Sequence, residues 1–279
     1  MKILVTGAGG TLGRALTGTA RAAGHQVSAM ERGDLDITDA SAVRAVVRLL
    51  GPHVVVNCAA FSDVDAAQAH PRDALTVNRD GTRNIAVAAR EAETGVVHIS
   101  TDYVFDGKKK TPYRPHDQPA PLNLYGISKL AGEVAALEAH PRALVLRTSW
   151  IFGQGSGGFV GWAAGQLRQE GPPLRIVEDE RSRPTWSRDL AQGILELVAA
   201  EAQGVHHLAN RGDCNRLELA REIREIVGSR RELVGVSGEE FGAPARRPHY
   251  SVLDLESGEA LLGRGLPHWR ESLRRYLNS

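Results

Sequence analysis

The chain has 279 residues, with 34 Lys and Arg against 33 Asp and Glu, 42% hydrophobic residues, 30 Gly and two Cys. At this length about three quarters of the unfolded chain's surface can be buried, which excludes a small scaffold dependent on disulfide or metal staples. A formal net charge of +1 gives no global field to draw the protein onto nucleic acid or an anionic membrane, so any anionic partner is met locally.

In chain order, Lys2 to Val5 reads as a first strand, Thr11 to Ala23 as a helix and Gln26 to Met30 as a second strand. Ala40 to Leu50 follows as a helix with Asp39 at its N-cap, then His53 to Asn57 as a strand and Arg72 to Glu93 as a helix. Val96 to Ser100, Leu124 to Ala139 and Ala143 to Arg147 complete the series as strand, helix and strand. Gly24 and Gly51 close the first two helices, as glycine does at helix C-termini. The strands are continuous apolar runs, which suits parallel strands covered on both faces. The expected fold is therefore α/β, a Rossmann-type doubly wound parallel sheet over residues 1–150.

Past residue 150 the rhythm breaks. Gly153 to Gly158 reads as a loop and Arg175 to Val177 as a short strand after Pro172-Pro173. Helices are expected at Ser187 to Glu201, at Leu217 to Val227 behind the capping box Asn215-x-x-Glu218, and at Trp269 to Leu277, with His206-His207 in a strand between them. No repeat or Pro/Ser linker separates 151–279, so this part is expected to be a smaller α/β substrate-binding part interleaved with the first domain.

Compartment follows from the cysteines and the N-terminus. Cys58 and Cys214 form no CxxC pair and have no His at ligand spacing, which suits a reducing compartment. The apolar run after Lys2 stops at Thr6-Gly7, too short for a signal-peptide core, and no stretch approaches the roughly 20 apolar residues of a membrane span. A cytoplasmic protein is expected, with neither nucleic acid nor membrane as a partner and with no bound metal.

Three motifs carry the chemistry. Thr6 to Gly13, with Gly7, Gly10 and Gly13 as TGxxGxxG, leaves the first strand and opens the first helix. Glycine there permits a tight turn and close approach of a pyrophosphate to helix N-terminal amides, so residues 1–150 are expected to be an NAD(P)-binding domain. Glu31, at the end of the second strand, is the acid expected to take the adenosine ribose hydroxyls, which favours NADH; the neighbouring Arg32 could take a 2′-phosphate, which favours NADPH. Tyr125-x-x-x-Lys129 puts a phenol and an ammonium on one helix face, where the cation stabilises the phenolate left after proton transfer. Ser100-Thr101-Asp102 ends the fourth strand, where ligands bind in such sheets; if Ser100 points into the sheet, Thr101 faces the cleft and can hydrogen-bond a substrate carbonyl.

These motifs, in this order, resemble the extended short-chain dehydrogenase/reductases. Within them, Leu35-Asp36-Ile37-Thr38, Val56 to Asp65, Ser100 to Gly107, Pro121 to Gly126, Arg147-Thr148-Ser149-Trp150 and Arg247-Pro248-x-x-Ser251 resemble the dTDP-4-dehydrorhamnose reductase family over nearly the whole chain. The resemblance implies hydride transfer from NADPH or NADH to the C4 ketone of dTDP-4-dehydro-L-rhamnose, giving dTDP-L-rhamnose. Tyr125 would donate the proton, Lys129 would hold the nicotinamide ribose, and Thr101 would orient the ketone. Gly10, Thr11 and Leu12 would line the pyrophosphate, Asp36 and Ile37 the adenine, and Ala60, Phe61 and Ser62 the nicotinamide half. Thr101, Asp102 and Trp150 would contact the sugar. Arg247, in the pair Arg246-Arg247, would reach the substrate diphosphate or hold its loop. Gln68 stands where the family usually has Glu, and Cys58 where it usually has Ala.

Two rival functions use the same motifs. An epimerase or dehydratase of this fold would need NAD held through the cycle and, for the dehydratase, an extra acid near Thr101. A non-catalytic NADP-binding subunit, like the β subunit of methionine adenosyltransferase, would keep much of the site. A homodimer is a further expectation.

Overall fold

A computed structural model describes residues 1–155 and 158–279. Six parallel strands form the central sheet. Five of them alternate with helices along the first part of the chain: β1 (Lys2–Thr6), α1 (Thr11–Ala22), β2 (Gln26–Met30), α2 (Ala40–Leu50), β3 (Val54–Asn57), β4 (Gly95–Thr101) and β5 (Leu144–Thr148). Reading across the sheet, the order is strand Gly204–His207, β5, β4, β3, β1, β2. The chain reverses its direction of winding between β1 and β3, the switch point at which such sheets open a crevice for ligands.

The inner strands β1, β3, β4 and β5 bury both faces, so alternate residues feed two cores. Ile3, Val5, Val54, Val56, Leu144 and Leu146 pack with Leu12 and Leu16 of α1 and with Leu190 and Ile194 of the helix Ser187–Ala199. Leu4, Val55, Val96 and Val145 pack the other way, against Val43 and Val47 of α2 and Ile85 and Ala89. The helix Ser187–Ala199 and strand Gly204–His207 lie beyond residue 150, yet they complete the first sheet and its helical layer.

The caps fit the sequence. Asp39 accepts from the amides of Ser41 and Ala42 at 2.9 and 3.0 Å, and Gly51 takes φ 51°. Asn215 and Glu218 form the reciprocal capping box. The helix expected over 72–93 is divided. It runs as Pro71–Leu75, a π-helical turn Thr76–Gly81, and Thr82–Glu91. A short helix not anticipated, Val64–Ala69, begins at Asp63, whose carboxylate caps Asp65 and Ala66.

Beyond β5, three two-stranded pairs surround a third core. Leu174–Val177 pairs with Leu233–Val236, Arg181–Ser182 with Cys214–Asn215, and Ile151–Phe152 with Thr185–Trp186. Trp269 sits fully buried in that core beside Leu273, Leu217 and Ile223. Of the loop expected at 153–158, residues 156 and 157 lie outside the described residues. No helix among the described residues is long and apolar enough to cross a membrane.

Candidate active site

Above the carboxyl ends of the strands lies a cleft of about 740 Å³. Gly7, Gly10, Thr11 and Leu12 form one wall, Glu31, Asp36 and Ile37 one end, and Ala60, Phe61 and Ser62 the opposite wall. Thr101, Tyr125, Lys129 and Trp150 close the other end. Fourteen residues named from motifs scattered over 1–150 therefore share one cavity.

The Gly-rich turn is built by sterics. Gly7 has φ 64°, and a Cβ there would stand 2.5 Å from the Ala59 amide nitrogen. Gly10, at the N-cap of α1, offers no side chain to the helix terminus, so an anion in the cleft can take the place of a cap. Glu31 carries its carboxylate over Gly9, where a Cβ would lie 2.9 to 3.0 Å from it. Arg32 lies beside it on the cleft. Asp36 is turned into its own loop, accepting from the Thr38 amide at 2.9 Å and hydroxyl at 2.8 Å, and these bonds hold its carboxyl below the usual value.

Tyr125 and Lys129 stand on α6 (Leu124–Ala139). Asn123 caps the helix by accepting from the Gly126 amide at 2.8 Å, and its own amide donates to the Arg246 carbonyl at 2.8 Å. The helix lies so close to its neighbours that Gly126 meets the Tyr103 carbonyl and Gly132 the Asn78 carbonyl where any Cβ would clash. Gly132→Ala should therefore shift α6 outward. The expected result is a loss of about 1–3 kcal/mol of stability from overpacking, together with a fall in kcat larger than any rise in KM. Unchanged unfolding and kinetics would show that this contact is not needed.

Tyr125 sits edge-on to Tyr103, ring centroids 6.1 Å apart, with the Thr101 hydroxyl beside its phenol. Burial pushes the phenol well above its usual value, so Tyr125 holds its proton at neutral pH. Lys129 Nζ donates to the Ile99 carbonyl at 2.6 Å. Burial lowers its pKa to about 8, against the opposing pull of Glu133. Trp150 has φ 42°, and Arg216 stacks on its ring at 4.2 Å.

Two expected contacts lie outside the cleft wall. Asp102 is buried, and its carboxylate accepts from Ser182 at 2.8 Å, Ser251 at 2.5 Å and Thr101 at 3.1 Å. Burial outweighs those hydroxyls and raises its pKa to about 6. Arg247 is engaged by Asp65, in the helix Val64–Ala69, with bonds of 3.2 and 2.9 Å, and by the Ala245 carbonyl. Neither side chain lines the cavity. Gln68 meets the start of α6, its side-chain oxygen 3.4 Å from the Leu124 amide. Cys58 borders the cleft as a thiol pushed up to about 12 by burial, and both cysteines are free. Among the described residues no group of three or more His, Cys, Asp or Glu is placed to hold a metal ion.

The supporting groups were not anticipated. Asn78, in the π-helical turn, clamps Phe61 by both amide and carbonyl, at 2.9 and 3.1 Å, and donates to Ser128 at 2.8 Å. The π turn is the only available signal, and it is a tertiary one. Glu133 of α6 and Arg147 of β5 form a buried pair.

A family model described as the RmlD substrate binding domain matches residues 1–279. A dTDP-4-dehydrorhamnose reductase of Mycolicibacterium smegmatis is 39% identical over 276 residues, covering 98% of this chain and 84% of that one. A dTDP-4-keto-6-deoxy-D-glucose reductase of Streptomyces niveus is 38% identical over 272 residues, covering 97% of this chain and 94% of that one. The crystal structure of a dTDP-4-dehydrorhamnose reductase from Bacillus anthracis in complex with NADP superposes with a TM-score of 0.95 at 35% identity, covering 99% and 98% of the two chains.

Proposed function

The chain belongs to the RmlD substrate binding domain family, and from that premise we propose that it reduces the C4 ketone of dTDP-4-dehydro-L-rhamnose to dTDP-L-rhamnose with NADPH or NADH. The observation that carries the reading is the meeting in one cleft of a Gly-rich helix N-terminus with Thr101, Tyr125 and Lys129. The cradle fits a dinucleotide, since the turn at Gly7 leads into the N-terminus of α1, where Gly10 sets no side chain in the way of a pyrophosphate. Glu31 would hold the adenosine ribose, Asp36 and Ile37 the adenine, and Ala60 to Ser62 the nicotinamide half, all of them lining the cleft.

When bound, the reduced nicotinamide supplies the hydride. Thr101 orients the ketone, and Tyr125 gives its phenolic proton to the ketone oxygen. Lys129 holds the ribose and favours the phenolate by its charge. Trp150 walls the sugar. In this reading Asp102 and Arg247 act from behind the wall: Asp102 holds the Thr101 hydroxyl until the ketone takes its single proton, and Arg247 ties the 245–248 segment to Asp65. Two free thiols suit a cytoplasmic enzyme, and the exposed Ile127 and Val134 on α6 suit a homodimer.

The relative from Streptomyces niveus favours a second substrate, a dTDP-4-keto-6-deoxy sugar of another configuration. Purified protein is to be mixed with each dTDP-ketosugar and with NADPH or NADH, and loss of the reduced cofactor's absorbance followed. Oxidation is expected, fastest with dTDP-4-dehydrorhamnose. No oxidation with either cofactor, where a known reductase turns over, would sink the proposal and favour a non-catalytic cofactor-binding role.

A further inference from the structure

Beneath the catalytic pair lies a buried imidazole with no part in the chemistry above. His98 is on β4 and is fully buried. Its Nε2 lies 3.5 Å from Lys129 Nζ, the same nitrogen that donates to the Ile99 carbonyl at 2.6 Å. Across the ring, Nδ1 lies 3.4 Å from Thr82 Oγ1 and 3.5 Å from Asn57 Nδ2. Asn57, Thr82 and Lys129 are all buried as well.

Donor and acceptor accounting assigns the tautomer. An ammonium has three donors and no acceptor, so the nitrogen facing Lys129 must present a lone pair, and the ring proton is on Nδ1. Asn57 Oδ1 is fixed by the Thr6 hydroxyl at 2.7 Å and the Ala59 amide at 3.2 Å, so Asn57 turns its amide nitrogen toward His98. That nitrogen cannot accept, and the Nδ1 proton therefore goes to Thr82 Oγ1. Burial and the Lys129 charge together keep the imidazole neutral, well below its ordinary range.

We infer that His98 is a positioning residue for Lys129: by accepting one ammonium proton while Ile99 accepts another, it aims the third at the cleft. The inference rests on the reductase reading above. Other titratable groups around Lys129 do not supply this acceptor. Cys58, after β3, remains a thiol; Glu133, one turn along α6, is committed to Arg147; and Tyr125, one turn before, is itself the proton donor. Without an acceptor at position 98, a buried cation loses a partner and its charged form becomes costlier.

The test is an NMR titration of the full chain with lysine labelled at Cε, tractable because the sequence has only five lysines. In the unaltered protein Lys129 is expected to titrate at about 8. His98→Leu should lower that midpoint by about one unit. His98→Gln, whose amide oxygen accepts in the same place, should restore most of it. In steady-state assays His98→Leu should move the alkaline fall of kcat/KM down by the same shift. It should also lower kcat about tenfold with KM for the nucleotide-sugar unchanged.

A midpoint that His98→Leu leaves in place overturns the inference, and so does an equal shift in the Leu and Gln variants. If His98→Leu does not fold, Thr82→Val, which removes the hydroxyl that fixes the tautomer, should shift the midpoint the same way, and no shift there overturns the inference. Absence of reductase activity in the unaltered protein would defeat the proposed function, while the NMR midpoint would still decide the role of His98.

Discussion

Tyr125→Phe is expected to reduce kcat by about 10²- to 10⁴-fold, the contribution of a positioned general acid, which corresponds to roughly 3–5 kcal/mol of barrier. The substitution removes one oxygen from a ring packed against Tyr103 and leaves the Gly-rich turn and Glu31 untouched. Cofactor affinity, read by fluorescence titration with NADPH, should therefore stay within a few-fold of the unaltered protein. In that protein the rate should fall as pH rises through about 8, because Lys129 then loses the charge that favours the phenolate. A Phe variant that keeps its full kcat would move the acid to another residue, with Thr101 as the next candidate.

The second large effect concerns stability. Arg147 donates to Glu133 through Nε at 2.8 Å and Nη2 at 2.7 Å, and both side chains are almost wholly excluded from water, at 4% and 3% exposure. Ser100 adds a 2.5 Å bond to the same carboxylate, Arg147 donates to the Pro115 carbonyl at 3.0 Å, and its guanidinium lies 5.1 Å from the Phe105 ring. Arg147→Met removes the cation and leaves a buried carboxylate with one hydroxyl for company. Breaking a buried pair in this way costs about 3–5 kcal/mol, which urea unfolding at pH 7 should register as a lower midpoint with an unchanged slope.

The double variant Arg147→Met, Glu133→Leu should recover much of that loss, because the penalty comes from the orphaned charge and not from the absence of the pair. A single variant as stable as the unaltered protein would mean that water or rearrangement solvates Glu133. Because the pair joins β5 to α6 one turn beyond Lys129, the single variant should also lose activity. Its loss of stability distinguishes it from Tyr125→Phe, which should unfold normally.

Local signals determined a large part of this protein. Continuous apolar runs such as Val54-Val55-Val56 have few physical solutions other than a buried parallel strand, and Asp39, Gly51 and the Asn215–Glu218 box mark helix ends by hydrogen bonds made within a few residues. TGxxGxxG and YxxxK were legible for the same reason. Each works through spacing along one turn or one helix face, so placing the element places the side chains.

Tertiary structure decided whatever depends on residues far apart in the chain. The resemblance implies Asp102 at the sugar, and Arg247 reads as reaching the diphosphate or holding its loop; the partners that fix these side chains, Ser182, Ser251 and Asp65, stand 80, 149 and 182 residues away in the chain. No local pattern encodes such partners. The same holds for the sixth strand, Gly204–His207, which completes a sheet begun 200 residues earlier, and for the π turn that brings Asn78 between Phe61 and Ser128. His98 reads in sequence as one more residue of a buried strand. Its neighbours Lys129, Thr82 and Asn57 come from three other elements, and only their convergence in a water-free interior, where each donor needs an acceptor, gives its ring nitrogens separate tasks.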